Sequence, residues 1–124
     1  MVTALVVKSG EHPSITHLCD DRKFLDCAVR VETDVPYSAT TLKIDEGIAV
    51  IYGGEGCALG LDGNRRIGKQ IIAGIFYIVG VQNQKLRSLT DEEIVRYTMR
   101  FWEPEIFSDD EMVESWLSAL LNDV

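Results

Sequence analysis

The chain has 124 residues, 46% of them hydrophobic, which is the length and apolar share of one compact domain that buries its own core without a disulfide or metal. Its net charge of -8 is local, because residues 1–90 hold ten acids and ten bases while residues 91–124 hold ten acids against Arg96 and Arg100. An acidic arm on a neutral body repels phosphate backbones and attracts basic protein surfaces, which argues against direct nucleic-acid binding.

In chain order, Thr3 to Lys8 is short, apolar and β-branched, as a buried first strand would be. Ser9-Gly10-Glu11-His12-Pro13 is a turn and Ser14 to Leu18 a second strand, so the chain starts with a hairpin. Asp20-Asp21 supplies a cap, and Phe24, Leu25 and Ala28 at helical spacing predict a short helix near 21–29. Val29, Val31, Thr33 and Val35 alternate with Arg30, Glu32 and Asp34 as in a half-buried strand, which Pro36 ends, and a loop follows to Thr41. Gly47 to Tyr52 is a further strand. The Gly53-Gly54-Glu55-Gly56 cluster after it has neither Rossmann nor Walker spacing and no following helix, so it is a turn.

Asp62-Gly63 is a hairpin signal that feeds the chain into Ile71 to Val79. That stretch is apolar at both parities and predicts a central strand covered on both faces, with Gly74 in mid-strand admitting a close neighbour. Val81 to Arg87 is a polar loop. Thr90-Asp91-Glu92-Glu93 is a capping box opening an amphipathic helix that Glu103-Pro104 ends, and Ser108-Asp109-Asp110-Glu111 opens another. The apolar stripe of this last helix (Met112, Val113, Trp116, Leu117, Leu120, Leu121, Val124) must be covered either by the second face of the central sheet or by another chain. The two-faced pattern at 71–79 favours the sheet. The expected fold is one α+β domain over 1–124: a mainly antiparallel sheet of about five strands with three helices, the last two C-terminal.

Asn64-Arg65, the Ile71-Ile72-Ala73-Gly74-Ile75-Phe76-Tyr77-Ile78-Val79-Gly80 run and the Ser88-Leu89-Thr90-Asp91-Glu92-Glu93-Ile94 helix start together resemble a family of small proteins of unknown function from phages, plasmids and other mobile elements of bacteria. The resemblance covers about residues 47–107 well and the N-terminal strands loosely, and the last helix departs from it. It implies an α+β domain and a mobile-element origin, and brings no catalytic residue with it.

No apolar run approaches the roughly 20 residues of a membrane helix and no signal peptide opens the chain, so a soluble, cytoplasmic protein without membrane contact is expected. Cys19, Cys27 and Cys57 form no framework and fit reduced, mostly buried thiols. His12, His17, Cys19 and Cys27 lack the spacing of a closed metal site, so no metal or cofactor is expected. Of the adjacent carboxylate pairs, Asp20-Asp21 is explained by a helix cap and Asp45-Glu46 would face opposite ways on a strand, and no nucleophile signature accompanies them, so no enzyme is expected.

Two candidate loci remain. Glu92, Glu103, Glu105, Asp109, Asp110 and Glu114 fall at caps or on polar helix faces and form a candidate partner-binding surface. Asn64, Arg65, Arg66 and Lys69 form a candidate anion-binding turn, for which the plainer reading, and the favoured one, is a solvated turn paired with the acidic arm. The first locus fits a monomeric or homodimeric, non-enzymatic accessory protein that binds and inhibits a host protein with a basic surface, such as a CRISPR or restriction nuclease. The second fits a small-molecule or nucleotide binder.

Overall fold

The computed structural model describes residues 1–19, 39–53 and 61–122. The helix expected at 21–29, the strand at 29–35, the Gly53-Gly54-Glu55-Gly56 turn after its first residue, Cys27 and Cys57 lie outside them. The described strands are β1 (Val2–Val7), β2 (Ser14–Leu18), β3 (Ala39–Asp45), β4 (Ile48–Gly53), β5 (Gly63–Ile67), β6 (Gln70–Ala73), β7 (Phe76–Gln82) and β8 (Lys85–Arg87). They are followed by helices α1 (Asp91–Arg100) and α2 (Asp109–Asn122).

Six strands form one antiparallel sheet in the order β2-β1-β7-β4-β3, with β8 also on β7, while β5 and β6 form a separate hairpin. β7 is central: Ile78 lies opposite both Leu5 and Val50, and Tyr77 opposite Val6 and Ile51. Its side chains alternate between two buried clusters. Phe76 and Ile78 join Leu5, Val7, Ile48, Val50 and Tyr52 on one face, and Tyr77 and Val79 join Ala4, Ala49 and Ile51 on the other. This is why the stretch is apolar at both parities. The first face is covered by Tyr97 and Phe101 from the helical segment and by Ile67 and Ile72 from the small hairpin, with Phe101 edge-on to Phe76 at 5.6 Å.

Several expectations are overturned. The described residues hold eight strands in place of about five, and two helices in place of three, both near the C-terminus. The run at 71–79 is two strands in two sheets, parted at Gly74, where φ is +81°. The neighbour that glycine admits is a side chain from the preceding loop, since a Cβ there would stand 2.9 Å from Leu61 Cδ1. β3 begins inside the expected loop; it is a sheet edge with mostly exposed or half-buried residues, so it lacks an apolar stripe. β8 arises from the expected polar loop through a two-residue turn, Asn83-Gln84, with both residues at positive φ as a type I′ turn requires. Cys19, expected among mostly buried thiols, is exposed. The last helix does not cover the sheet but lies against β6. Among the described residues no helix is long and apolar enough to cross a membrane.

Gly74 supplies the reversal that sends the chain from one sheet to the other, so Gly74→Ala should cost about 1–3 kcal/mol through left-handed backbone strain. Urea denaturation measures it. An unchanged midpoint would show that the link tolerates ordinary backbone angles.

Candidate functional site

The Asn64-Arg65 pair faces inward. A bulge between Gly63 and Arg65 breaks the alternation of β5, and both Asn64 and Arg65 have no exposed surface. Asn64 Nδ2 donates to the carbonyls of Val7 and Gly74, both at 2.9 Å. Arg65 Nε donates to the Phe101 carbonyl at 3.0 Å and Nη2 to the Glu11 carbonyl at 2.6 Å, while Nη1 donates to the carbonyl and Oδ1 of Asn64 at 2.9 and 2.8 Å. Burial pulls the guanidinium below its ordinary pKa, and the charge of Glu105 opposes that shift. An arginine remains a cation under such a shift, and its planar fork can satisfy several carbonyls at once. Among the described residues no buried side-chain nitrogen or oxygen lacks a partner. The pair therefore ties β1, the Glu11 loop, the Gly74 link and the end of α1 together, and does not stand in solvent beside Arg66 and Lys69.

Those two do reach solvent. Together with Glu111, Glu114, Ser115 and Ser118 they line an open cleft of about 150 Å³ between the hairpin and α2. Arg66 donates its main-chain N–H to Glu105 Oε2 at 3.1 Å, its guanidinium lies 3.7 Å from Glu111 Oε2, and it sits over the Phe107 ring. The turn is thus paired with the acidic arm.

The second locus lies on the two helices. Both expected capping boxes are present: Glu93 N–H donates to Thr90 Oγ1 and Glu111 N–H to Ser108 Oγ, each at 3.2 Å, and each glutamate accepts from its cap residue's N–H. Glu93 also takes a bidentate grip from Arg87 at 2.8 and 3.0 Å, which holds its carboxyl well below the usual range, at about 2. Glu92, Glu103, Glu105, Asp109, Asp110 and Glu114 are all exposed. Glu92 pairs with Arg96 at 3.3 Å and Glu105 accepts from Arg66, whereas Glu103, Asp109, Asp110 and Glu114 have no ion-pair partner among the described residues.

What sequence reasoning missed is the orientation of α2. Its inward face carries Ser115, which accepts the Ile71 N–H at 2.9 Å, and Met112, which approaches Gly63 so closely that a Cβ there would meet its sulfur at 2.7 Å. Val113, Trp116, Leu117 and Leu121 are 52, 42, 43 and 69% exposed. The signal available was the small serine in register with Met112, since a helix approaches a strand most closely through small residues.

Other expected features resolve into local contacts. His12 stacks on Trp102 at 3.9 Å and its Nδ1 lies 2.6 Å from the Trp102 carbonyl, while His17 contacts Thr3. Asp45 accepts from the buried Tyr97 hydroxyl at 2.5 Å and lies 3.7 Å from Arg100, whereas Glu46 pairs with Lys43. Burial, then the bond to Asp45, pushes the Tyr97 hydroxyl above its ordinary pKa. Among the described residues no three His, Cys, Asp or Glu side chains are grouped to hold a metal ion.

The class defined by this architecture is an α+β domain built on an antiparallel sheet. The chain belongs to the family described as domain of unknown function DUF3846, whose model matches residues 2–102. That match takes in every described strand and α1 and ends before α2. No curated protein and no solved structure matches the chain.

Arg65→Lys removes the fork and strands several buried carbonyls, at about 1–3 kcal/mol each, so chemical denaturation should show a loss of several kcal/mol. Arg66→Ala and Lys69→Ala should each stay within about 1 kcal/mol, as exposed charges do. An Arg65→Lys variant of full stability would remove the buried network from its structural role.

Glu93 has a folded pKa of about 2 against an ordinary 4.5. Its contribution, up to about 3 kcal/mol, is present above the ordinary carboxylate range and lost as pH falls from there towards 2. Stability curves of the native chain and Glu93→Gln should therefore differ at neutral pH and converge at about pH 2. Parallel curves would contradict the assignment.

Proposed function

We propose that the chain is a non-catalytic accessory protein of a phage, plasmid or other mobile element, which binds and inhibits a host protein through its acidic C-terminal segment. A defence nuclease of CRISPR or restriction type is the target class that fits best. The cationic channel with which such an enzyme holds phosphates is the surface an array of exposed carboxylates would seek. The observation that carries the reading is the exposure of Glu92, Glu103, Glu105, Asp109, Asp110 and Glu114, five of them without an ion-pair partner among the described residues. The mobile-element origin rests on the resemblance of the Asn64-Arg65, Ile71 to Gly80 and Ser88 to Ile94 motifs.

The alternative, a small-molecule or nucleotide site at Asn64, Arg65, Arg66 and Lys69, has less support. Two of its four residues are buried, and an anion in the cleft of the other two would meet Glu111 and Glu114.

Immobilised protein should capture a host protein with a basic surface, and the capture should weaken as salt rises past physiological strength, where exposed charges are screened beyond about 8 Å. Reversing Glu103, Glu105 and Glu114 to lysine should abolish capture while the chain stays folded. Because Glu105 also accepts from Arg66, the double reversal of Glu103 and Glu114 serves as the control for stability. Full capture by the folded triple variant sinks the reading.

A further inference from the structure

Val113, Trp116, Leu117 and Leu121 share one face of α2, because residues three, four and eight apart return to the same side of a helix. The side chains of that face are 42–69% exposed, while α2 meets the hairpin through Met112 and Ser115. The stripe is therefore exposed, and acids border it: Asp109 and Asp110 stand four and three residues before Val113, and Glu114 stands three before Leu117. From 101 to 124 the chain has seven acids and no lysine or arginine. A second copy laid on this stripe would set acids against acids, whereas a segment with apolar residues at helical spacing and lysines or arginines beside them would satisfy both the stripe and its borders.

We propose that this face of α2 is a docking site for an amphipathic basic helix of the partner protein, with Trp116 and Leu117 as its central anchors. The inference rests on the reading above, since it assigns the same basic partner a secondary structure and a place to bind. The stripe spans 113–121, about 12 Å at helical rise, which matches two to three turns of a partner helix.

The probe is a labelled peptide of about 18 residues made of leucine and lysine, with the leucines at i, i+3, i+4 and i+7, compared with a scrambled peptide of the same composition. Binding is followed by anisotropy, and by the emission of Trp116 in a Trp102→Phe background. The amphipathic peptide should bind at least about ten-fold more tightly than the scrambled one and shift Trp116 emission to the blue. Joint replacement of Val113, Leu117 and Leu121 by serine should lose that preference with the thermal midpoint unchanged, and Leu117→Gln alone should weaken it in the same direction.

Equal binding of the two peptides overturns the docking site and leaves the acidic-surface reading standing, since charge alone would then suffice. Binding of neither peptide also overturns it. So does a concentration-dependent dimer in sedimentation that the triple-serine variant loses, because a second copy would then occupy the stripe. The acidic-surface reading fails separately, through its own charge-reversed variant.

Discussion

A guanidinium with no carboxylate in hydrogen-bonding contact, buried among carbonyl oxygens, holds this fold together. Taking a cation out of water costs several kcal/mol unless its donors are matched, and Arg65 meets that demand with main-chain oxygens from three places far apart in sequence together with the Asn64 side chain. The Phe101 carbonyl is the best placed of them, because it lies at the C-terminal end of α1, where the helix dipole is negative. Asn64 extends the same network to Val7 and Gly74. The small hairpin, the first strand and the helix are thus set relative to one another by polar contacts, and the apolar cluster of Ile67, Ile72, Phe76, Tyr97 and Phe101 fills the space between them.

That network also draws two of the four residues of the candidate anion-binding turn, Asn64 and Arg65, out of solvent. In a regular strand Asn64 and Arg65 would face opposite ways, and one of them would stand in water. The bulge between Gly63 and Arg65 turns both inward, and nothing in the residue types announces a bulge. The neighbouring pair behaves as its sequence suggests: Arg66 and Lys69 are exposed, and Arg66 leans towards Glu111. An arginine's chemistry is legible in a sequence, but its direction is set by backbone register.

The same contrast runs through the rest of the fold. The first hairpin, the two buried faces of β7 and both capping boxes were legible because each depends on spacing within a few residues. The strand count was not. An unbroken apolar run does not show that its first half pairs with β5 and its second with β1 and β4, since both halves are buried and only the positive φ of Gly74 parts them. The β7-β8 turn uses Asn83-Gln84 where an Asn-Gly pair would have signalled it, so the hairpin was hidden by a glutamine at φ +65°. Edge strand β3, with most of its side chains in water, carries no periodic apolar signal at all.

For α2 the amphipathic pattern was right about the existence of an apolar face and silent about its direction. Three contacts orient the helix: Ser115 on the Ile71 N–H, Met112 with Phe107 over Gly63, and Glu111 towards Arg66. Each uses a polar group or a close approach, so together they outweigh the choice of turning the broad apolar face inward, which would leave the edge N–H of Ile71 without its serine. Full burial of a leucine-sized side chain is worth about 1.5–3 kcal/mol, and the half-exposed Trp116, Leu117 and Val113 leave much of that unrealised within the chain. On the proposed reading that unrealised burial is what a partner helix gains, and the bordering acids select which helix gains it. On the same reading the docking site stands on α2, beyond residues 2–102 that the family model matches.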